Sequence, residues 1–283
     1  MRLARIGAAG QERPAVWAGQ VWRDLSGLTP DINASFLAAG TASWDRLHTA
    51  LAVGTLPELD AGGRFGAPVT GIGKIVCIGL NYRDHAAETG AAEPAEPVVF
   101  LKAPDTVVGP YDTVLIPRDS TKTDWEVELG VVIGATARYL DGPDEALRHV
   151  AGYLISHDVS EREFQLDRGG QWDKGKNCET FNPLGPWLVT ADEIGEPQDL
   201  AVRLWVNDRQ RQDGSTKNMI FDVAHIVWYL SQFMVLRPGD VINTGTPAGV
   251  ALGQPDHPYL RAGDVVELEI DGLGRQRQTF RKA

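Results

Sequence analysis

The sequence predicts a strand-dominated α+β fold, a sandwich or roll of sheets rather than a doubly wound parallel sheet. Three observations predict it. Short apolar or alternating runs recur along the chain, bounded by Gly, Pro or Asp. Only one segment keeps a helical apolar period over several turns. Strands and helices do not alternate regularly, as a parallel βαβ architecture requires.

From the N-terminus, residues 1–69 read as a small, poorly patterned domain and residues 70–283 as the main one. The alternation in Ala15-Val16-Trp17-Ala18-Gly19-Gln20-Val21-Trp22 predicts a hairpin piece. Residues 24–60 carry loop chemistry and short helices, and residues 62–68 (Gly-Gly-Arg-Phe-Gly-Ala-Pro) a connector. From Gly71 the pattern sharpens. Residues 74–80 form a compact apolar run, a buried strand. Residues 81–88 predict a short helix that stops at Gly90, since glycine tolerates the left-handed backbone that ends helices. Residues 98–102, 114–116, 125–133, 151–158 and 202–207 predict further strands, the last turning at Asn207-Asp208. The longer helix is expected over residues 220–236, with Phe221, Ala224, Val227, Leu230 and Met234 near helical spacing and Pro238-Gly239 closing it. Residues 240–244 and 264–270 complete the strands, and Asp271-Gly272 marks a terminal hairpin.

Composition excludes several classes. The chain has 283 residues, 43% of them hydrophobic and 23% charged, which is ordinary for a globular protein and not for a disordered one. It carries 38 acidic against 27 basic residues, a net charge of −11, with no Lys/Arg stripe, so nucleic acid is not an expected partner. Cys77 and Cys178 are too few and too far apart for a disulfide framework or zinc ribbon. No run approaches the roughly 18–20 apolar residues of a membrane span. Met1-Arg2-Leu3-Ala4-Arg5-Ile6-Gly7 has no apolar signal region, so a soluble cytoplasmic protein is expected.

Some motifs fail on their chemistry. Gly170-Gln171-Trp172-Asp173-Lys174-Gly175-Lys176-Asn177 approaches a phosphate-binding loop, but Asn177 stands where a Ser or Thr hydroxyl would hold magnesium, and no strand precedes it. Gly-x-Gly-x-x-Gly after a strand, Gly-x-Ser-x-Gly and His-Glu-x-x-His are absent.

The strongest chemical signal is Asp124-Trp125-Glu126-Val127-Glu128-Leu129-Gly130-Val131-Val132-Ile133. Strand periodicity puts Glu126 and Glu128 on one face, where they repel unless a cation lies between them. An exposed polar face accounts for the pair equally well, although the apolar flanks suggest a strand buried on both sides. Asp158 ends another apolar strand, either as a cap for the segment after it or as a third carboxylate. Three converging carboxylates would suit a hard divalent ion, Mg²⁺ or Mn²⁺. His85 and Glu88, three apart on the short helix, are either a solvated pair or a dyad in which the glutamate orients an imidazole that deprotonates water.

In this order, Ile78-Gly79-Leu80-Asn81-Tyr82-Arg83-Asp84-His85-Ala86-Ala87-Glu88, Glu126-Val127-Glu128-Leu129-Gly130, Asp158-Val159-Ser160-Glu161-Arg162, Gly175-Lys176-Asn177-Cys178-Glu179-Thr180-Phe181, Pro183-Leu184-Gly185-Pro186-Trp187, Arg237-Pro238-Gly239-Asp240 and Thr244-Gly245-Thr246-Pro247-Ala248-Gly249-Val250 resemble the fumarylacetoacetate hydrolase family. The resemblance spans about residues 70–280. It implies a β-sandwich roll with a small N-terminal domain, assembled as a homodimer, and a divalent metal held by Glu126, Glu128 and Asp158. It also implies catalytic roles for His85, Glu88 and Lys176, and substrate contacts from Lys102, Arg162, Gln165 and Thr246.

The implied substrate is a small anionic keto acid, a 2,4-diketo acid such as an acylpyruvate or a diketo-deoxy sugar acid. Water activated by His85 attacks the distal carbonyl, the C–C bond breaks, and the metal and Lys176 stabilise the pyruvate enolate. Oxaloacetate decarboxylases, hydroxymuconate-type isomerases and sugar-acid dehydratases share these residues, and a non-catalytic sugar-acid or metal-binding protein is a further alternative. Asn177-Cys178-Glu179 departs from the serine and aromatic residue of many relatives. Cys178 and His157 are expected to be structural.

Overall fold

The computed structural model describes all 283 residues. The chain opens with β1 (Arg2–Ile6), β2 (Arg13–Trp17) and β3 (Trp22–Asp24), an antiparallel meander. Helices α1 (Ala34–Ala38) and α2 (Thr41–Val53) follow, then the short strands β4 (Glu58–Leu59) and β5 (Phe65–Gly66). Next come β6 (Ile75–Gly79), α3 (Arg83–Glu88), β7 (Val98–Lys102), β8 (Val107–Val108), β9 (Val114–Ile116), β10 (Thr123–Asp124) and β11 (Val127–Ile133). The middle of the chain supplies β12 (Val150–His157), β13 (Ser160–Glu161), α4 (Asp173–Lys176), β14 (Asn182–Thr190) and α5 (Ala191–Ile194). The last part adds β15 (Ala201–Val206), β16 (Arg209–Ser215), α6 (Val223–Ser231), β17 (Val241–Asn243), β18 (Val265–Ile270) and β19 (Gly274–Lys282).

A large mixed sheet runs β4-β3-β2-β1-β14-β12-β11-β17-β6-β7, with β5 on β1 and β8 on β14. A second sheet runs β16-β15-β18-β19-β9, and β10 pairs β13 alone. The strand-dominated α+β fold expected from the sequence is the one observed. β11 explains the architecture: every residue in it is buried, so it needs cover on both faces. Val127, Leu129 and Val131 join the core that packs the two sheets together with Val202, Leu204, Val266, Leu268 and α6. On the opposite face Val132 joins Leu154, Leu184 and Leu188, covered by Leu3, Val16, Leu37 and Leu47 from the first 69 residues. That segment enters the main sheet directly, Leu3 of β1 lying opposite Leu188 of β14.

Two boundaries differ from the sequence expectation. The helix expected over 220–236 is observed only over Val223–Ser231. Asp222 caps it by accepting from the His225 amide, and Leu236 instead exchanges backbone bonds with Ala137, which pulls the chain into an extended bridge. The strand expected from Trp125 begins at Val127, because the Asp124 carboxylate turns the backbone by accepting from the Trp125, Ala251 and Leu252 amides. No helix is long and apolar enough to cross a membrane.

Candidate active site

The site forms where β11, β12, β7 and the loop after β17 end near helices α3 and α4. Glu126 immediately precedes β11 and Glu128 lies in it, opposite Ser156 of β12. Asp158 follows β12, and its amide donates to the Glu126 carbonyl at 3.0 Å, drawing the two chain segments together. All three carboxylates are buried, and one oxygen from each lies within 4.8 Å of the others. The exposed-face alternative for Glu126 and Glu128 is therefore overturned, because Arg162, Lys176 of α4 and the Gly245 amide close over them. Asp158 caps no helix through its side chain; both of its oxygens take lysines.

Three cations answer these acids. Lys102 Nζ lies 2.6 Å from Asp158 Oδ1 and also donates to the Val159 carbonyl. Lys176 Nζ bridges Glu126 Oε2 at 2.8 Å and Asp158 Oδ2 at 2.9 Å, with its charge over the Phe100 ring. The Arg162 guanidinium donates to Asp124 through Nε, to Glu126 through one terminal nitrogen and to Gln165 Oε1 through the other. Burial pushes the Glu126 carboxyl up, but Lys176 and Arg162 outweigh it and hold it below the ordinary carboxylate range. Glu128 has no such help. Burial, then repulsion from Asp158 and Glu126, raises it well above that range, and its one hydrogen bond comes from the Gly245 amide at 2.8 Å. Burial lowers Lys176, yet Asp158 and Glu126 more than offset it, so the ammonium stays charged.

His85 lies beside this cluster on α3. Its Nδ1 is 3.0 Å from Glu88 Oε1, and Glu88 is itself held by the Gly249 amide at 2.9–3.0 Å. The solvated-pair alternative fails too, since His85 is buried and Glu88 is anchored in the fold. With Nδ1 taken, Nε2 is the ring nitrogen left for chemistry. A cavity of about 200 Å³ is lined by His85, Glu126, Glu128, Arg162, Gln165, Lys176 and Thr246. Four expected residues are placed differently from the rest. Glu88, Asp158 and Lys102 lie outside the cavity lining, with Lys102 standing behind Asp158, and Arg162 spends its donors on protein acceptors. The Thr246 hydroxyl lines the cavity while donating to the Val127 carbonyl and accepting from Gln212.

The residues fit a divalent cation. Asp124, Glu126, Glu128 and Asp158 bring four carboxylates against the three cations Lys102, Arg162 and Lys176. The excess negative charge sits at Glu128, a buried carboxylate with one amide partner, which is costly without a counter-ion. Glu126, Glu128 and Asp158 offer only oxygen donors, the preference of Mg²⁺ or Mn²⁺.

Sequence reasoning left several contributors without a role. Asp124 is fully buried, orients Arg162 and organises the 251–252 turn. Trp172, Phe100 and Leu166 wall the cavity. Asn177 and Asp173 fasten α4 to the edge of β7: Asn177 donates to the Leu101 carbonyl at 3.0 Å and accepts from the Ala103 amide, and Asp173 accepts from the Leu101 amide. Gly175 permits that docking, since a Cβ there would strike the Gln165 backbone and side chain. The phosphate-loop look-alike is thus the segment that delivers Lys176. Cys178 is half-buried, its thiol pushed up to about 11 by burial. His157 is fully buried against Gln278, outside the cavity lining.

The order of motifs and this sheet arrangement match one class of enzymes throughout. The family model for the fumarylacetoacetate (FAA) hydrolase C-terminal domain matches residues 74–281, and the chain belongs to that family. Among named relatives, the 2,4-didehydro-3-deoxy-L-rhamnonate hydrolase of Sphingomonas sp. (strain SKA58) is 51% identical over 280 residues, covering 98% of this chain and 95% of that one. Among solved structures, the fumarylacetoacetate hydrolase of Exiguobacterium antarcticum is 35% identical over 100% of both chains, with a TM-score of 0.88. The maleylpyruvate hydrolase of Sphingobium sp. SYK-6, in complex with manganese(II) and pyruvate, is 27% identical over 100% of both chains, with a TM-score of 0.83.

Proposed function

We propose that this protein is a divalent-metal-dependent hydrolase that cleaves the C3–C4 bond of a 2,4-diketo acid, an acylpyruvate or diketo-deoxy sugar acid, to pyruvate and a second acid. The observation that carries this reading is one cavity lined by His85, whose Nδ1 is held by Glu88, and by Glu126 and Glu128 of a carboxylate triad short of one cation. The named activities of the Sphingomonas relative and of the maleylpyruvate hydrolase support it. A divalent ion on Glu126, Glu128 and Asp158 would supply Lewis-acid polarisation of the substrate's carboxylate and 2-oxo oxygens.

The chain's own groups do the rest. Glu88, held by the Gly249 amide, fixes the His85 tautomer, so Nε2 takes a proton from water and Glu88 steadies the imidazolium. The water oxygen adds to the C4 carbonyl. The C3–C4 electron pair then moves to C3 and delocalises onto the 2-oxo oxygen, where the Lys176 ammonium is placed to offset the charge. C3 finally takes a proton, which releases pyruvate, while C4 leaves as the second acid. The Gln165 amide, whose Oε1 is used by Arg162, keeps its NH₂ free for a substrate oxygen.

Product analysis tests the reading. Protein loaded with Mg²⁺ or Mn²⁺ is expected to convert acylpyruvates to pyruvate plus an acid, and His85→Ala to lose about 10²–10⁴-fold in kcat. Faster CO₂ release from oxaloacetate, or full turnover by His85→Ala, overturns it.

A further inference from the structure

The cavity has two chemically different ends. One holds the carboxylates and lysine described above. The other is walled by Leu80, Phe100, Leu166, Trp172 and Leu252, with the Thr89 hydroxyl as a polar group among them. Trp172 is the largest of these. Its ring meets Phe100 edge-on, with centroids 5.6 Å apart, and rests on Gly79 so closely that a Cβ there would collide with it. Gly79 therefore reserves the space that Trp172 fills. The wall is specified by sequence rather than left over.

Every cation lining the cavity is already engaged. Arg162 holds Asp124, Glu126 and Gln165; Lys176 holds Glu126 and Asp158; His85 holds Glu88. A substrate's first carboxylate can share the counter-ion the triad demands. A second carboxylate at the far end would lie against aromatic and aliphatic carbon with no cation to pair it and with part of its hydration displaced.

We infer that Trp172, seated on Gly79 and against Phe100, forms an uncharged distal subsite, and that the substrate is a 2-oxo acid with a single carboxylate whose far end is a short neutral chain. The inference rests on the function proposed above for the cleavage itself, but not for the subsite, which binding alone can examine. A neutral chain lays its C–H face on the Trp172 ring, and Thr89 accommodates a hydroxyl.

Calorimetric titration of the Mg²⁺-loaded protein with 2-oxopentanoate and 2-oxoglutarate tests the subsite. The two probes share a five-carbon 2-oxo acid frame and differ in the terminal carboxylate. The expected result is at least about 30-fold tighter binding of 2-oxopentanoate. Trp172→Ala should weaken 2-oxopentanoate about tenfold while leaving pyruvate within about twofold, because pyruvate does not reach the wall. Trp172→Phe should retain most of the affinity, which separates loss of the wall from loss of folding, and Trp172→Arg should favour 2-oxoglutarate. In turnover, kcat/KM for acetylpyruvate should exceed that for maleylpyruvate by about 100-fold. Equal or tighter binding of 2-oxoglutarate by the unaltered protein, or equal losses of pyruvate and 2-oxopentanoate in Trp172→Ala, overturns the inference. If neither diketo acid is cleaved, the proposed reaction falls while the binding comparison still decides the subsite.

Discussion

The Glu128 carboxyl lies within reach of two other carboxylates and accepts one hydrogen bond, from the Gly245 amide. Its raised folded-state pKa has a definite consequence for the metal-free protein. Such a group contributes stability below its unfolded pKa, and that stability is lost as pH rises through the folded value. Glu128→Gln removes the buried charge, so the metal-free variant should melt higher than the unaltered protein at pH 8. Saturating Mn²⁺ should reverse the order, since only the intact triad gains the full binding energy, about 4 kcal/mol at a thousand times Kd. Melting curves with and without Mn²⁺ check both halves. His157 gives the opposite pH limb. Burial lowers its imidazole from the usual 6.5 to about 4, so the unfolded chain binds a proton in that interval that the folded chain refuses. Its contribution is complete above 6.5 and is lost as pH falls toward 4, about 3 kcal/mol in all. His157→Gln, which cannot titrate, should flatten that part of the stability curve in denaturant titrations run between pH 7 and 4.

Helix α4 has only four residues, too short to hold itself, and the two carboxamide bonds from Asn177 with the one to Asp173 act as a substitute strand on the free edge of β7. This ties the element bearing Lys176 to the strand bearing Lys102, and the two ammoniums take the two oxygens of Asp158. Asn177→Ala should loosen α4. The expected outcome is a kcat lowered about tenfold, as for a misplaced catalytic group, with Asn177→Gln or Ser recovering part of it. The shorter α6 makes the same point about elements: helical spacing continues through Met234, but the backbone bonds of Leu236 to Ala137 decide where the helix stops.

At the scale of the molecule, the first 69 residues are the second cover of a sheet that is apolar on both faces. They pair with β14 and hide Leu154, Leu184 and Leu188. Deleting residues 1–69 is expected to give insoluble protein rather than a smaller folded unit, because it uncovers that apolar face and the edge of β14. Expression and size-exclusion chromatography of residues 70–283 check this. The motifs in the main domain were legible because chemistry constrains them locally: two carboxylates at strand spacing, a His and Glu on one helical turn, a Gly-Lys before a strand. The covering role of residues 1–69 was not legible, since short strands and loops reveal what they bury only through partners more than a hundred residues away.

The sequence by itself determined the class of fold, the strands that carry the acids, and the residue types that converge, since period, charge and turn chemistry are local properties. Only the tertiary structure decided that the acids are buried, that Glu128 alone lacks a cation, that Lys102 stands behind Asp158, and that Trp172 closes the far wall. Those facts depend on which distant surfaces exclude water from each side chain, and water exclusion sets both the cost of an unpaired charge and the strength of a paired one.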